Sequence, residues 1–268
     1  MNIHQHIIIL LIFVSSSCQE NNIIDTSTTN SRDYLFAENI FNYIGRIVED
    51  AFIDNGENKS CPSYSLINTD TTDIDTIIVN FGDGSPDDCL AYGKEVRGKI
   101  IITFTGKYRD SLSIISTTFD DYFINNNRIQ GLRVQTNNGR NLDGKMNFTI
   151  EIIESSINGN GTIHYESMRN RVWETGYNTP LNPNDDSYSV SGLTKGNSSF
   201  GQAFETNIIE DLLLDFNCLS EEKCLITSGN VELNLVGFSP RNINYGDSTC
   251  DCNYNINLDG EKYFIVVN

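Results

Sequence analysis

Aspartates dominate the positions at which this chain could do chemistry. Asp83, Asp87 and Asp88 lie together in "NFGDGSPDDC", Asp247 and Asp251 lie in "NYGDSTCDC", and pairs stand at Asp120-Asp121 and Asp185-Asp186. Two carboxylates with separated pKa values suffice for glycoside hydrolysis, and a trio of hard oxygens suits calcium. With 36 Asp and Glu in the chain, such groupings arise by chance. "DGSPDD" also lacks the D-x-[DN]-x-[DN]-G order of an EF-hand loop. None of the Asp pairs sits in an apolar stretch that would keep one acid protonated near neutrality. Asp83, Asp87 and Asp88 therefore stand as a minor calcium candidate, no other metal or cofactor is expected, and no residue is expected to be catalytic. Gly82-Asp83 and Gly246-Asp247 read most simply as turns in which Asp bonds turn amides and Gly supplies the backbone conformation.

Other catalytic classes fall for want of residues. The three histidines stand at 4, 6 and 164, and removal of an N-terminal leader would leave only His164, too few for a multi-histidine zinc site. His164, in "GTIHYES", alternates with Ile163 and Tyr165 and reads as an exposed or rim residue. The chain contains no Gly-rich phosphate loop, nucleophile elbow or C-x-x-C pair.

The cysteines carry structure instead. Setting Cys18 aside leaves Cys61, Cys89, Cys218, Cys224, Cys250 and Cys252, an even set of the kind that forms disulfides in an oxidising compartment. An early pair and a late four make Cys61–Cys89 the economical pairing. Cys250 and Cys252, two apart, point the same way from a strand, so each is expected to reach back to Cys218 or Cys224. A zinc site built from the late four is the alternative.

The N-terminus explains the compartment. "IIILLIFV", Ile7 to Val14, is too short for a mature membrane span and precedes Ser15-Ser16-Ser17-Cys18, so residues 1–17 read as a signal peptide. "VSSSC" resembles the lipobox of bacterial lipoproteins, which implies that Cys18 is acylated and tethers an exported protein to a membrane, the outer membrane being the expected one. The leader has no charged side chain, so the whole net charge of −18 falls on the mature chain. Such acidity argues against nucleic acid and anionic lipid surfaces as partners.

Residues 18–31 have the polar composition of a lipidated tether. Residues 32–56 form one amphipathic helix in which Phe36, Ile40, Tyr43, Ile44, Ile47 and Ala51 recur at steps of three or four, while Glu38, Asn39, Arg46 and Glu49 fall between them. Ser31 is the candidate cap, and Asn55-Gly56 the stop. Residues 57–268 are expected to form an antiparallel β domain. "MNFTIEI" and "VELNL" alternate apolar and polar residues, and turn signals recur at Asn126-Asn127, Asn138-Gly139, Asp143-Gly144 and Asp259-Gly260. "IIEDLLLDF", Ile208 to Phe216, reads as strand and loop ahead of Cys218. The fold class is all-β with one N-terminal helix, an antiparallel meander forming a large β-sandwich or curled sheet. The two Asn-aromatic-Gly-Asp segments suggest an internal duplication, with coincidence between two turn-rich hairpins as the alternative.

The order "NFGDG", "GKIIITFTGKY", "TFDDYFINNNRIQG", "VQTNNG", "RNRVWETG", "YSVSG", "SGNVEL" and "INYGDSTCD" resembles a family of secreted or lipid-anchored Bacteroidetes proteins of the Flavobacteria type. The resemblance implies a cell-envelope setting and no reaction. Together these readings favour a non-catalytic envelope lipoprotein, a binding module for glycan or protein or an accessory scaffold. Two alternatives stand beside it. One is a carboxylate-dependent carbohydrate-active hydrolase with Trp173, Tyr177 and Tyr188 as a sugar platform. The other is a lipid or lipopolysaccharide carrier whose sheet curls around acyl chains. An open apolar concavity would favour the carrier, a cleft with two carboxylates the hydrolase, and a filled core the binding module.

Overall fold

A computed structural model describes residues 28–53, 61–67, 75–84 and 89–267. Cys18, the tether up to residue 27, the Asn55-Gly56 stop, and Asp87 and Asp88 lie outside these described residues. The chain runs through helix α1 (Thr29–Ile53) and then strands β1 (Ser63–Ile67), β2 (Asp75–Asn80), β3 (Cys89–Ala91), β4 (Lys94–Phe104), β5 (Ile114–Ile124), β6 (Asn127–Arg140), β7 (Met146–Gly159) and β8 (Gly161–Thr175). A short 3-10 turn at Pro183–Asp185 leads to β9 (Ser187–Asn197) and β10 (Ala203–Asp215). After the single-turn helix α2 (Asn217–Ser220) come β11 (Ile226–Leu235), β12 (Arg241–Asp247), β13 (Asn253–Leu258) and β14 (Glu261–Val266).

All the strands belong to one 14-stranded antiparallel sheet, each pairing with its neighbour in the chain, except that β3 pairs beside β2 on β4. The architecture is therefore a curled sheet and not a sandwich. It is an open sheet, with β1 and β14 at its edges. Chain order fixes this topology: two-residue turns such as Asn125-Asn126 (φ 45° and 64°) and Asp259-Gly260 (φ 51° and 87°) return each strand directly against the last. The β5–β6 turn falls one residue earlier than the Asn126-Asn127 signal suggests. Asn138-Gly139 is no turn at all. It forms a bulge within β6, where the Asn137 side-chain oxygen accepts the Gly139 N–H at 2.8 Å.

Bulges bend the sheet. Register shifts interrupt most of the long ladders, and at Gly98 in β4 the shift is locked in. Its φ is +86°, and a Cβ there would stand 2.1 Å from the Asp121 carbonyl oxygen. Within each regular stretch the period of two holds: Met146, Phe148, Ile150 and Ile152 are buried on β7, as are Val231, Leu233 and Leu235 on β11. "IIEDLLLDF" lies mostly in β10, as its apolar content suggests.

What the curl encloses is α1. The helix has 25 residues, about 37 Å of length, and its side chains meet strands almost from one edge of the sheet to the other. Tyr43 donates to the Ala91 carbonyl on β3 at 2.7 Å, and Phe52 packs edge-on to Phe104 of β4. Phe41 stacks on Tyr165 of β8, and Tyr34 meets Phe204 of β10 edge-on. Arg241 of β12 donates to Ser31, and Tyr254 of β13 to Asn39. Ser31 thus lies inside the helix, which begins at Thr29, and bonds a strand rather than capping. Tyr34, Leu35, Ala37, Ile40, Ile44, Ile47 and Val48 are buried, and so are Glu38, Arg46 and Glu49 on the expected polar side. A helix buried all round is ordinarily apolar all round; here the strands supply arginines to match its acids.

The six cysteines pair as Cys61–Cys89, Cys218–Cys250 and Cys224–Cys252. With the late four in disulfides, they are not available as zinc ligands. The first staple holds β3 at one end of the sheet. The other two tie the stretch around α2 to the β12–β13 loop at the other end. Both ends repeat one local device: the Asn80 side chain accepts the Gly82 N–H at 3.0 Å, and the Asn244 side chain accepts the Gly246 N–H at 3.1 Å. It is the Asn, not the following Asp, that folds the first step of each turn, and the aromatic residue between, Phe81 or Tyr245, is buried.

Candidate functional site

The largest concentration of unusual chemistry lies where α1 ends. There a cleft of about 690 Å³ opens between the last turn of the helix, the segment after β4 and the loop between β8 and β9. Its walls include Phe52, Phe104, Tyr108, Trp173 and Leu181, and its polar groups include Glu49, Arg109 and Asp186. Local sequence places each of them. Alternation along β8 turns Trp173 inward, two residues beyond the inward-facing Arg171. The 3-10 turn folds Asp186 back under the sheet, where its N–H bonds the Pro183 carbonyl at 3.3 Å and its own carbonyl accepts the Phe216 N–H at 3.0 Å.

Trp173, Tyr177 and Tyr188 come together here. Tyr177 meets the indole edge-on at 5.4 Å, Tyr188 tilts against it at the same distance, and the Arg109 guanidinium lies 4.5 Å from the indole ring centre. Trp173 is only 3% exposed and Tyr188 fully buried, so the rings are packed on one another and only Tyr177 is partly open. Asp83, the described member of the calcium trio, lies exposed in the loop after β2. His164 is exposed on β8.

Both acids at this cleft stand in the sequence, Asp186 in one of the carboxylate pairs and Glu49 on the polar side of the helix, but 137 residues apart in the chain. The Trp173 indole N–H donates to Asp186 Oδ1 at 3.2 Å. The Tyr188 hydroxyl, with one proton to give, sits 3.2 Å from Glu49 Oε2 and 3.4 Å from Asp186 Oδ2. Glu49 also forms an ion pair with Arg171 at 2.8 Å, both groups buried. Burial first, and then the Glu49 charge, push Asp186 up to about 7. No Asp pair lies in an apolar stretch of sequence, and the neighbours of Asp186 in the chain are polar; its aromatic neighbours, Trp173 and Tyr188, are brought to it in space.

A pH dependence follows. Asp186 titrates above its unfolded value, so from about pH 4 to about pH 7 the folded chain keeps a proton that the unfolded chain has released. Its stabilising contribution is complete below that window and is lost as the pH rises through it. A shift of this size corresponds to about 4 kcal/mol unscreened; water in the cleft reduces it, and about 2 kcal/mol is expected. Urea unfolding across the window should show that decline in the wild type and a flatter profile in Asp186→Asn. Equal slopes in the two proteins would contradict the assignment.

Comparison with family models, with curated proteins and with solved structures finds no match to this chain.

Proposed function

We propose that this protein is an exported, lipid-anchored envelope module that binds a glycan or an envelope protein and catalyses no reaction. The observation that carries this reading is the occupied concave face: α1 fills the space that acyl chains would need in a carrier, and the cleft at its C-terminal end, walled by aromatic side chains, offers a place for a ligand. The three disulfides point to an oxidising, extracytoplasmic compartment, and no helix among the described residues is long and apolar enough to cross a membrane. An N-terminal lipid on Cys18 fits both facts, as does the resemblance to secreted and lipid-anchored Bacteroidetes proteins. Cys18→Ser should therefore move the protein from the membrane fraction to the soluble fraction, and unchanged fractionation would refute the anchor.

The hydrolase reading has one observation in its favour, the Asp186 acid beside Glu49. Against it, both carboxylates are already engaged, Asp186 by Trp173 and Glu49 by Arg171 and Tyr188. The chain has a single tryptophan, at the cleft wall, so its fluorescence reports entry of a ligand. Titration with a panel of envelope polysaccharides should give a saturable change in Trp173 emission, with no release of reducing ends. Turnover that disappears in a folded Asp186→Asn or Glu49→Gln variant would establish the hydrolase instead.

A further inference from the structure

Deeper under α1, away from the cleft, the concave face carries more positive than negative charge. Arg133 on β6 and Arg169 and Arg171 on β8 line a hollow of about 20 Å³, with Glu38, Asn42 and Gly45 of the helix above them. The three arginines are 2%, 5% and 3% exposed. Two have carboxylate partners: Arg169 pairs with Glu38 at 2.6 Å and Arg171 with Glu49 at 2.8 Å. Arg133 has none among the described residues. Its Nη2 donates to Gln135 Oε1 at 2.8 Å, while its Nη1 makes no hydrogen bond. Gln135 Nε2, Arg169 Nε and Nη1, and Arg171 Nε are equally without acceptors.

Buried donors left unmade are costly, and a buried cation without a counter-charge more so. Burial, followed by the charge of Arg171, pushes Arg133 down to about 10, which still leaves it cationic near neutrality. The other buried acid nearby, Asp186, bonds Trp173 and does not line the hollow. At about 20 Å³ the hollow has room for one small particle, a water or a monatomic ion, and too little for sulfate, phosphate or an organic anion. Gly45 contributes to that room: a Cβ on it would stand 3.1 Å from Arg133 Nη2. Glycine in mid-helix is otherwise disfavoured against alanine.

We propose that the hollow between Arg133, Arg169 and Arg171 binds one monatomic halide, chloride in ordinary surroundings, which supplies the missing negative charge beneath α1. The site is internal and distinct from the cleft, so it stands independently of what the cleft binds. It makes the helix-to-sheet packing dependent on a small anion.

Melting of the mature chain should be compared in sodium chloride, sodium bromide and sodium gluconate at equal ionic strength, and crystals soaked in bromide examined by anomalous diffraction. A bromide peak in the hollow is expected, with a saturable rise in Tm in either halide over gluconate. Arg133→Met should lose that rise. Should that variant fail to fold, Gly45→Ala retains every charge and narrows the hollow, and it should fold in gluconate and lose the halide response. Absence of bromide from the hollow overturns the proposal. So does a bromide peak without any halide effect on Tm, or a rise in Tm that persists in Gly45→Ala.

Discussion

Glu38→Ala should destabilise the domain by about 3–5 kcal/mol, because it strands a buried cation. In the wild type Glu38 accepts from Arg169 and from the Tyr165 hydroxyl, both at 2.6 Å, at 4% side-chain exposure. Burial works to raise the Glu38 pKa, but Arg169 and these hydrogen bonds overcome it and hold the carboxyl below its ordinary value. With Glu38 gone, Arg169 has no carboxylate partner among the described residues and keeps the Thr194 hydroxyl as a protein acceptor. The double variant Glu38→Leu/Arg169→Met removes both charges and should recover most of the loss, since a buried pair replaced by apolar groups of similar volume is often neutral. Urea unfolding of the two single variants and the double measures the coupling. A Glu38→Ala protein as stable as the wild type would mean that the helix does not sit in the sheet as described.

Reduction of all three disulfides should be at least as damaging. Each bridge closes a loop of 28 or 32 residues and is worth about 2–4 kcal/mol, so together they rival the whole stability of an ordinary domain. Thermal melting with and without reductant should show the reduced protein largely unfolded at physiological temperature. The Cys218–Cys250 and Cys224–Cys252 bridges hold the end of the sheet where β12, β13 and β14 are short, and that end should lose protection first. A reduced protein that melts at the oxidised temperature would refute the dependence.

The expectations that matched the fold rest on local periodicity. "MNFTIEI" and "VELNL" bury every second side chain because each lies in an uninterrupted stretch of ladder, and the cysteine grouping anticipated Cys61–Cys89 because the early pair is isolated in the chain. The interior polar network was hidden for a corresponding reason. On β6 the residues facing inward are Arg133, Gln135 and Asn137, with Val134 between them turned outward, so hydropathy gives the reverse of the true orientation. On β8, Arg169 and Arg171 point in while Met168 points out, 55% exposed. Glu38 looks like a solvent-facing residue of an amphipathic helix because its partner Arg169 lies 131 residues away. Asp186 stands in the sequence as one carboxylate pair among several, because its aromatic neighbours Trp173 and Tyr188 arrive from β8 and β9 rather than from its neighbours in "PNDDSY". The repeated Asn-aromatic-Gly-Asp signal was legible as a turn, though its key residue is the Asn.

The central claim is that α1 is the core of the β domain and not a lid over an acyl-chain cavity, and native-state hydrogen exchange tests it most directly. The amides of Ile40 to Val48 should exchange only through global unfolding, with the same free energy and the same denaturant dependence as those of β7 and β8. Exchange of the helix through a smaller opening, while β7 and β8 stay protected, would contradict the claim and restore the carrier reading.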